Sequence, residues 1–275
     1  MYMISSAKSL LFLPAHRLDR FETAKASGAN MVCVDLQDGL PDTEKDRGRE
    51  AVKKLLQHEP DVLTGVRINS PGSEHWIHDV RALRSCPNLP HAIILPMIEH
   101  AREIDAVAIE LEDVLRAASL IVMIETANAI CGIDSICAAC PPSAALLFGN
   151  ADMASAMRCA NDWESLAYVR SRLIVFAAKW GLPAFDGVTI ELESENLLEK
   201  ECSKGKKLGF VGKAAVHPKQ VKTINRNFCP TVEEVAEARA IVAAYEASSG
   251  GAIRVGMKMV DRPVYLAAAS LLKTH

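Results

Sequence analysis

The sequence predicts an α/β fold, a closed (β/α)8 TIM barrel followed by a C-terminal helical lid or arm, and three observations carry that prediction. Short, continuous apolar runs alternate with longer amphipathic stretches, the pattern of buried parallel strands joined by helical crossovers. Eight such pairs can be counted along the chain. No glycine-rich GxGxxG turn follows the first run, which favours a closed barrel over a doubly wound sheet. A length of 275 residues suits one barrel of about 250 residues.

In chain order, strands are expected at 10–14, 31–36, 64–69, 92–97, 120–125, 145–149, 184–190 and 211–216, each a short apolar run. The stretches between them carry helical periodicity, among them 18–27, 44–58, 75–85, 101–118 and the long 164–181. The barrel pattern, residues 1–228, ends near Phe228. Residues 229–275 are expected to hold a helix at 232–247, a break at Gly250-Gly251, a strand-like 253–259 and a final helix at 263–273. This tail is too small to fold alone, so it should pack on the barrel or on a neighbouring subunit as a lid or arm.

Hydrophobic residues make up 49% of the chain and charged residues 24%, an ordinary globular balance that argues against extended disorder. A formal charge of −3 supplies no basic field for nucleic-acid phosphates, so no nucleic-acid partner is expected. The eight cysteines are scattered, mostly within apolar segments, as buried thiols of a reducing compartment would be. Cys137 and Cys140 form a CxxC with Cys131 nearby, but no second pair or histidine accompanies them, so small core residues are favoured over zinc. The amino-terminal region has one lysine and a short apolar run at 9–15, unlike a signal peptide, and no apolar run approaches the roughly 18 residues of a membrane span. A cytoplasmic protein without membrane contact is expected.

A barrel gathers its chemistry at the carboxyl ends of its strands. Read there in order, the polar residues are Arg17, Asp35 and Asp38, Arg67 and Asn69, Glu125, Asp152, Asp186 and His217. Glu125 ends the run 120–124, and Asp152 opens a helix just after the next strand, so the two carboxylates should face one pocket. Two acidic ligands leave positions open for water or substrate, as Mg²⁺ prefers. Asp152 alone reads as a helix N-cap, and the pairing is what favours a metal. Arg67, on a buried strand, must meet a carboxylate, either a structural partner or an anionic substrate. A divalent metal beside an arginine suits a 2-oxo or 2-hydroxy acid and points to aldol or Claisen chemistry, with Arg67 and Glu125 facing substrate. No lysine ends a strand in a pocket position, Lys213 being early in its run, which weakens a Schiff-base mechanism. Arg17 and Arg20, one turn apart, read as surface ion pairs or phosphate contacts, His217 as a packed strand-end residue, and Trp76, Trp163 and Trp180 as helix packing.

At these residues the sequence resembles the citrate lyase β-subunit-like group of the HpcH/HpaI aldolases. The matching segments are Leu11-Phe12-Leu13-Pro14 with Arg17 and Asp19-Arg20-Phe21, Asp35-Leu36-Gln37-Asp38 with Lys45 and Arg49, Val66-Arg67-Ile68-Asn69, Ile124-Glu125-Thr126, Phe148-Gly149 with Asp152, Val216-His217-Pro218-Lys219-Gln220, and Met259-Val260-Asp261-Arg262-Pro263. The resemblance implies a Mg²⁺-dependent lyase that splits a 3-hydroxyacyl-CoA thioester, such as malyl-, citramalyl- or citryl-CoA, into an acyl-CoA and an oxo acid. It implies metal ligation by Glu125 and Asp152, oxo-acid binding and catalysis by Arg67, and CoA contacts by Phe12, Arg17 and Arg20. Read by residue type and position, Asp35 and Asp38 stand either behind the metal or as partners for Arg67. Asp261 matches a carboxylate that the family's C-terminal lid offers to an adjacent subunit, where it would protonate the thioester enolate. On residue type alone, Asp261 reads as an ordinary cap of the last helix. A shared lid implies a homo-oligomer, a trimer or hexamer.

Two departures stand out. Gln37 replaces the glutamate of the family's Asp-Leu-Glu-Asp, removing a negative charge near the metal, and Ala15 stands where a glycine usually follows Pro14. Two other readings remain: a metal-dependent aldolase on free oxo or hydroxy acids, and a carrier-protein-dependent subunit of a larger lyase complex.

Overall fold

Eight parallel strands pair in strict chain order, the last with the first, and so close a barrel. They are β1 (Ser9–Pro14), β2 (Met31–Asp35), β3 (Leu63–Arg67), β4 (Ala92–Leu95), β5 (Ser119–Ile124), β6 (Ala145–Phe148), β7 (Ala184–Asp186) and β8 (Gly212–Ala215). The computed structural model describes residues 4–248 and 251–273. It comprises two compact units, residues 1–226 and 227–275.

Period two along each strand decides what fills the barrel. Leu10, Met31 and Cys33, Ala92 and Ile94, Ile121 and Met123, Ala145 and Leu147, Phe185, and Ala214 form one interior cluster. The alternate residues Val32, Val34, Ile93, Val122 and Leu146 are equally buried, because they face the helices that wrap the barrel. Strands buried on both faces read as unbroken apolar runs, and that is why they were visible without alternation.

Several elements are shorter than the sequence predicts. β7 ends at Asp186 rather than continuing to residue 190, because the backbone beyond it is taken up by Asn150, whose Oδ1 accepts from Val188 N at 2.8 Å and whose Nδ2 donates to Val188 O at 3.0 Å. The stretch 101–118 is two helices, Ala101–Glu110 and Glu112–Leu115, meeting at Leu111. Arg17 and Arg20 lie on a 3-10 helix, Ala15–Arg20, with Arg17 itself off helical geometry, so they are not on a regular α-helical turn. Trp163 precedes the helix Ala167–Trp180, where it stacks on Arg170, and Trp180 is half-exposed with its indole donating to Asp134. Neither is simple helix packing.

In the second unit the helices Val232–Glu246 and Arg262–Lys273 pack around Ala238, Ile241, Val260 and Ala268. Residues 253–259 do not form one strand. They form the antiparallel hairpin β9 (Ile253–Val255) and β10 (Lys258–Val260), turned at Gly256, whose φ of +59° a side chain disfavours. Gly250, expected to break the chain here, lies outside the described residues. No helix among the described residues is long and apolar enough to cross a membrane.

Candidate functional site

The site is the next inward layer above the barrel core. Two residues beyond the interior Leu10, Cys33, Gly65, Met123 and Leu147 come Phe12, Asp35, Arg67, Glu125 and Gly149. All but Glu125 line one cavity of about 380 Å³, together with Asp38, Asp152 and Val216. Glu125 lies behind the lining, 1% exposed.

The backbone shapes this layer around Glu125. A Cβ on Gly149 would stand 2.3 Å from Glu125 Oε2 and 2.4 Å from its Cβ, so only glycine just after β6 leaves room for the neighbouring side chain. Met97 N donates to Glu125 Oε1 at 2.6 Å. That one bond does not offset the surroundings. Burial lifts the Glu125 carboxyl to about 7, and the charges of Asp152 and Asp38 push the same way, against the Met97 amide and Arg67. Asp38 is likewise raised, first by lost solvation and then by Asp152 and Asp35, with Arg67 opposing. Among the described residues of this lining Arg67 is the one cation, and it is already paired with Asp35, so a hard divalent ion held by carboxylate oxygens is the group that this donor set fits.

Arg67 has found a structural carboxylate and keeps one arm free of it. Its Nε and Nη2 grip Asp35 Oδ1 and Oδ2 at 2.7 and 2.6 Å, a two-pronged pair. Asp35 also accepts from Gln37 N and Gly39 N, each at 2.9 Å, so it shapes the loop after β2 as well. Burial alone would loosen the arginine's proton, but Asp35, Asp38 and Glu125 hold it more tightly than usual. The remaining Nη1 reaches Met123 Sδ, at 4.0 Å, and the guanidinium lies 5.1 Å from the centre of the Phe12 ring.

Phe12, Pro14 and Val216 also line a second cavity, of about 430 Å³, with His16, Arg17, Arg20, Thr23 and His217. Among the described residues its lining includes two arginines and two histidines and no carboxylate. Arg17 pairs loosely with Asp19 at 3.5 Å, well short of committing its charge. An acidic, metal-suited cavity thus adjoins a basic, anion-suited one.

Other strand-end residues serve elsewhere. Asn69 lies in a buried network in which Asp79 accepts from Arg49 and Asn69, while Lys45 Nζ donates to Asn69 Oδ1, Leu36 O and Gln37 O. That network anchors the loop carrying Asp38. Asp186 does not face the cavity: it follows the inward Phe185, so it turns outward to Arg170 and Lys213, at 2.9 and 2.8 Å. Lys213 is fully buried there and held protonated by Asp186 and Glu201. Gln220, a residue not singled out by its chemistry, accepts from Val216 N and His217 N and donates to Thr189 O at 2.7 Å, tying the β8 turn to the loop after β7.

Asp261, in the second unit, follows β10, and its Oδ1 accepts from Val264 N at 3.3 Å as a cap of the last helix. The group of three candidate ligand residues found together among the described residues, exposed Asp42 and Glu74 with half-buried His75, lines neither cavity.

The family model described as HpcH/HpaI aldolase/citrate lyase matches residues 8–218. A citrate lyase subunit beta-like protein of Mycobacterium tuberculosis is 29% identical over 96% of this chain and 93% of its own. The human mitochondrial citramalyl-CoA lyase is 25% identical over 94% of this chain and 82% of its own. The crystal structure of the CitE protein from M. tuberculosis, in complex with magnesium, acetoacetate and coenzyme A, superposes with a TM-score of 0.83 at 27% identity, covering 98% of this chain and 99% of that one.

Proposed function

The chain belongs to the HpcH/HpaI aldolase/citrate lyase family, and from that premise we propose that it is a Mg²⁺-dependent carbon–carbon lyase cleaving 3-hydroxyacyl-CoA thioesters into an acyl-CoA and an oxo acid. One observation carries the reading. An acidic cavity holding Arg67 shares a wall with a basic cavity holding Arg17 and Arg20, so an oxo-acid head and a phosphate-bearing tail have separate, adjoining places.

Glu125 and Asp152 would hold the ion. When bound, Mg²⁺ supplies Lewis-acid stabilisation of negative charge on the substrate's hydroxyl oxygen. Arg67 offers its uncommitted Nη1 to the carboxylate, and the Asp35 fork keeps the guanidinium from swinging. Phe12 and Val216 flank the passage along which the thioester arm would run, and Arg17 and Arg20 meet its phosphates. In cleavage the hydroxyl proton passes to water, the bond between the carbinol carbon and the thioester α-carbon breaks, and its electron pair passes into a thioester enolate. Protonation of that α-carbon yields the acyl-CoA. Asp261 is assigned this protonation by the family resemblance, acting from one subunit on a neighbour in a cytoplasmic trimer or hexamer.

The test is turnover of hydroxyacyl-CoA esters with Mg²⁺ and with EDTA. Metal-dependent cleavage of CoA esters and inertness toward the free acids is the expected result, and Asp152→Ala should abolish it while leaving the thermal midpoint nearly unchanged. Cleavage of free acids alone, or activity only with an added carrier protein, would refute the CoA reading. Mixing Asp152→Ala with Asp261→Asn protein should restore part of the activity if Asp261 serves a neighbour.

A further inference from the structure

Three groups remain on the carbinol carbon besides its hydroxyl, and the cavity treats them differently. The carboxylate belongs with Arg67 and the acidic pair, and the thioester arm runs toward the basic cavity past Phe12 and Val216. The third group, which stays on the oxo acid after cleavage, is left with Met123, Leu147 and Ala214, the top of the barrel's apolar core, and with Val188 on the loop above them. Among the described residues lining this cavity Arg67 is the one cation, and two of its three nitrogens already grip Asp35. Asp38 and Asp152 stand on the same lining as further negative charges.

We propose that the oxo acid handled here is a monoanion with a small apolar substituent, hydrogen or a short alkyl group as in glyoxylate or pyruvate, and not a dicarboxylate such as oxaloacetate. The inference rests on the lyase reading and narrows it. A methyl group against Met123, Leu147 and Ala214 loses water at no electrostatic cost. A carboxymethyl group in the same place is a charge against methyl and thioether groups, with like charges nearby and no cationic side chain among the described residues of that lining except the Arg67 already forked onto Asp35. The discrimination should be large, because an unpaired buried charge is penalised far more than a missing methylene.

The experiment compares kcat/KM of the full chain with Mg²⁺ on malyl-, citramalyl- and citryl-CoA, alongside calorimetric binding of pyruvate and freshly dissolved oxaloacetate. The expected result is a preference of about 100-fold or more for citramalyl- or malyl-CoA over citryl-CoA, with pyruvate bound more tightly than oxaloacetate. Citryl-CoA turnover within about tenfold of the better of the two would overturn the inference and leave the lyase reading standing. If no CoA ester is cleaved, the lyase reading fails, and the titration then decides: oxaloacetate bound as tightly as pyruvate overturns the inference too. Val188→Arg, which places a cation on this wall, should raise the citryl-to-citramalyl ratio about tenfold; a folded variant with an unchanged ratio would mean that this wall does not meet the substituent.

Discussion

Glu125 makes the acidic site measurable without any substrate. Its carboxyl is lifted from an ordinary value near 4.5 to about 7, chiefly by burial. A folded chain that holds this proton more tightly than the unfolded chain has its full stability below the unfolded value and loses it as the pH rises through about 7. Worked through both ionisations, the loss is under about 1 kcal/mol at pH 5 and about 3 kcal/mol at pH 8. Glu125→Gln keeps the shape and the acceptor for Met97 N but carries no charge. In EDTA it should therefore melt about 5–10 °C above wild type at pH 8, and within a few degrees of it at pH 5. Scanning calorimetry or fluorescence melts at the two pH values would measure this. Added Mg²⁺ should raise the wild-type midpoint at pH 8 and leave Glu125→Gln nearly unmoved. A Gln variant that melts below wild type at pH 8 in EDTA would refute the reasoning, because the carboxylate would then be stabilised by partners other than a cation.

Gly149→Ala drives a Cβ into Glu125, so metal-dependent turnover should fall at least roughly 100-fold while CoA binding, measured by calorimetry, stays within a few fold. Asp35→Ala strands the buried Arg67 charge and should cost about 3–5 kcal/mol in urea unfolding, along with activity; a loss below 1 kcal/mol would mean that the pair is dispensable. Arg17→Ala or Arg20→Ala should each raise KM for a CoA ester about tenfold with a smaller change in kcat, and should flatten the dependence of KM on salt.

The strands could be read from the sequence because parallel strands buried on both faces leave uninterrupted apolar runs, and strand ends located the polar candidates. What strand ends alone could not do was sort them. Asp35, Arg67 and Glu125 each stand two residues beyond an interior-facing position, whereas Asp186 stands one beyond Phe185 and so turns to Arg170 and Lys213. That parity is written in the sequence. Using it requires knowing which phase of each run faces inward, and an all-apolar run conceals its phase. Gly149 could be seen as a glycine, but its reason is a clash with a side chain just past the end of the adjacent β5, 24 residues earlier in the chain. The supports formed by Lys45, Asn69, Asp79 and Arg49 lie further still from sequence reading, since each residue alone resembles a surface polar group and only their convergence buries them. The acidic pair could be proposed from the sequence because both residues stand at strand ends. The cation wanted beside it follows from how many carboxylates the closed barrel crowds into one place: Glu125, Asp38 and Asp152 are brought together there, while Asp35 has already claimed two of the three nitrogens of the one arginine on that lining.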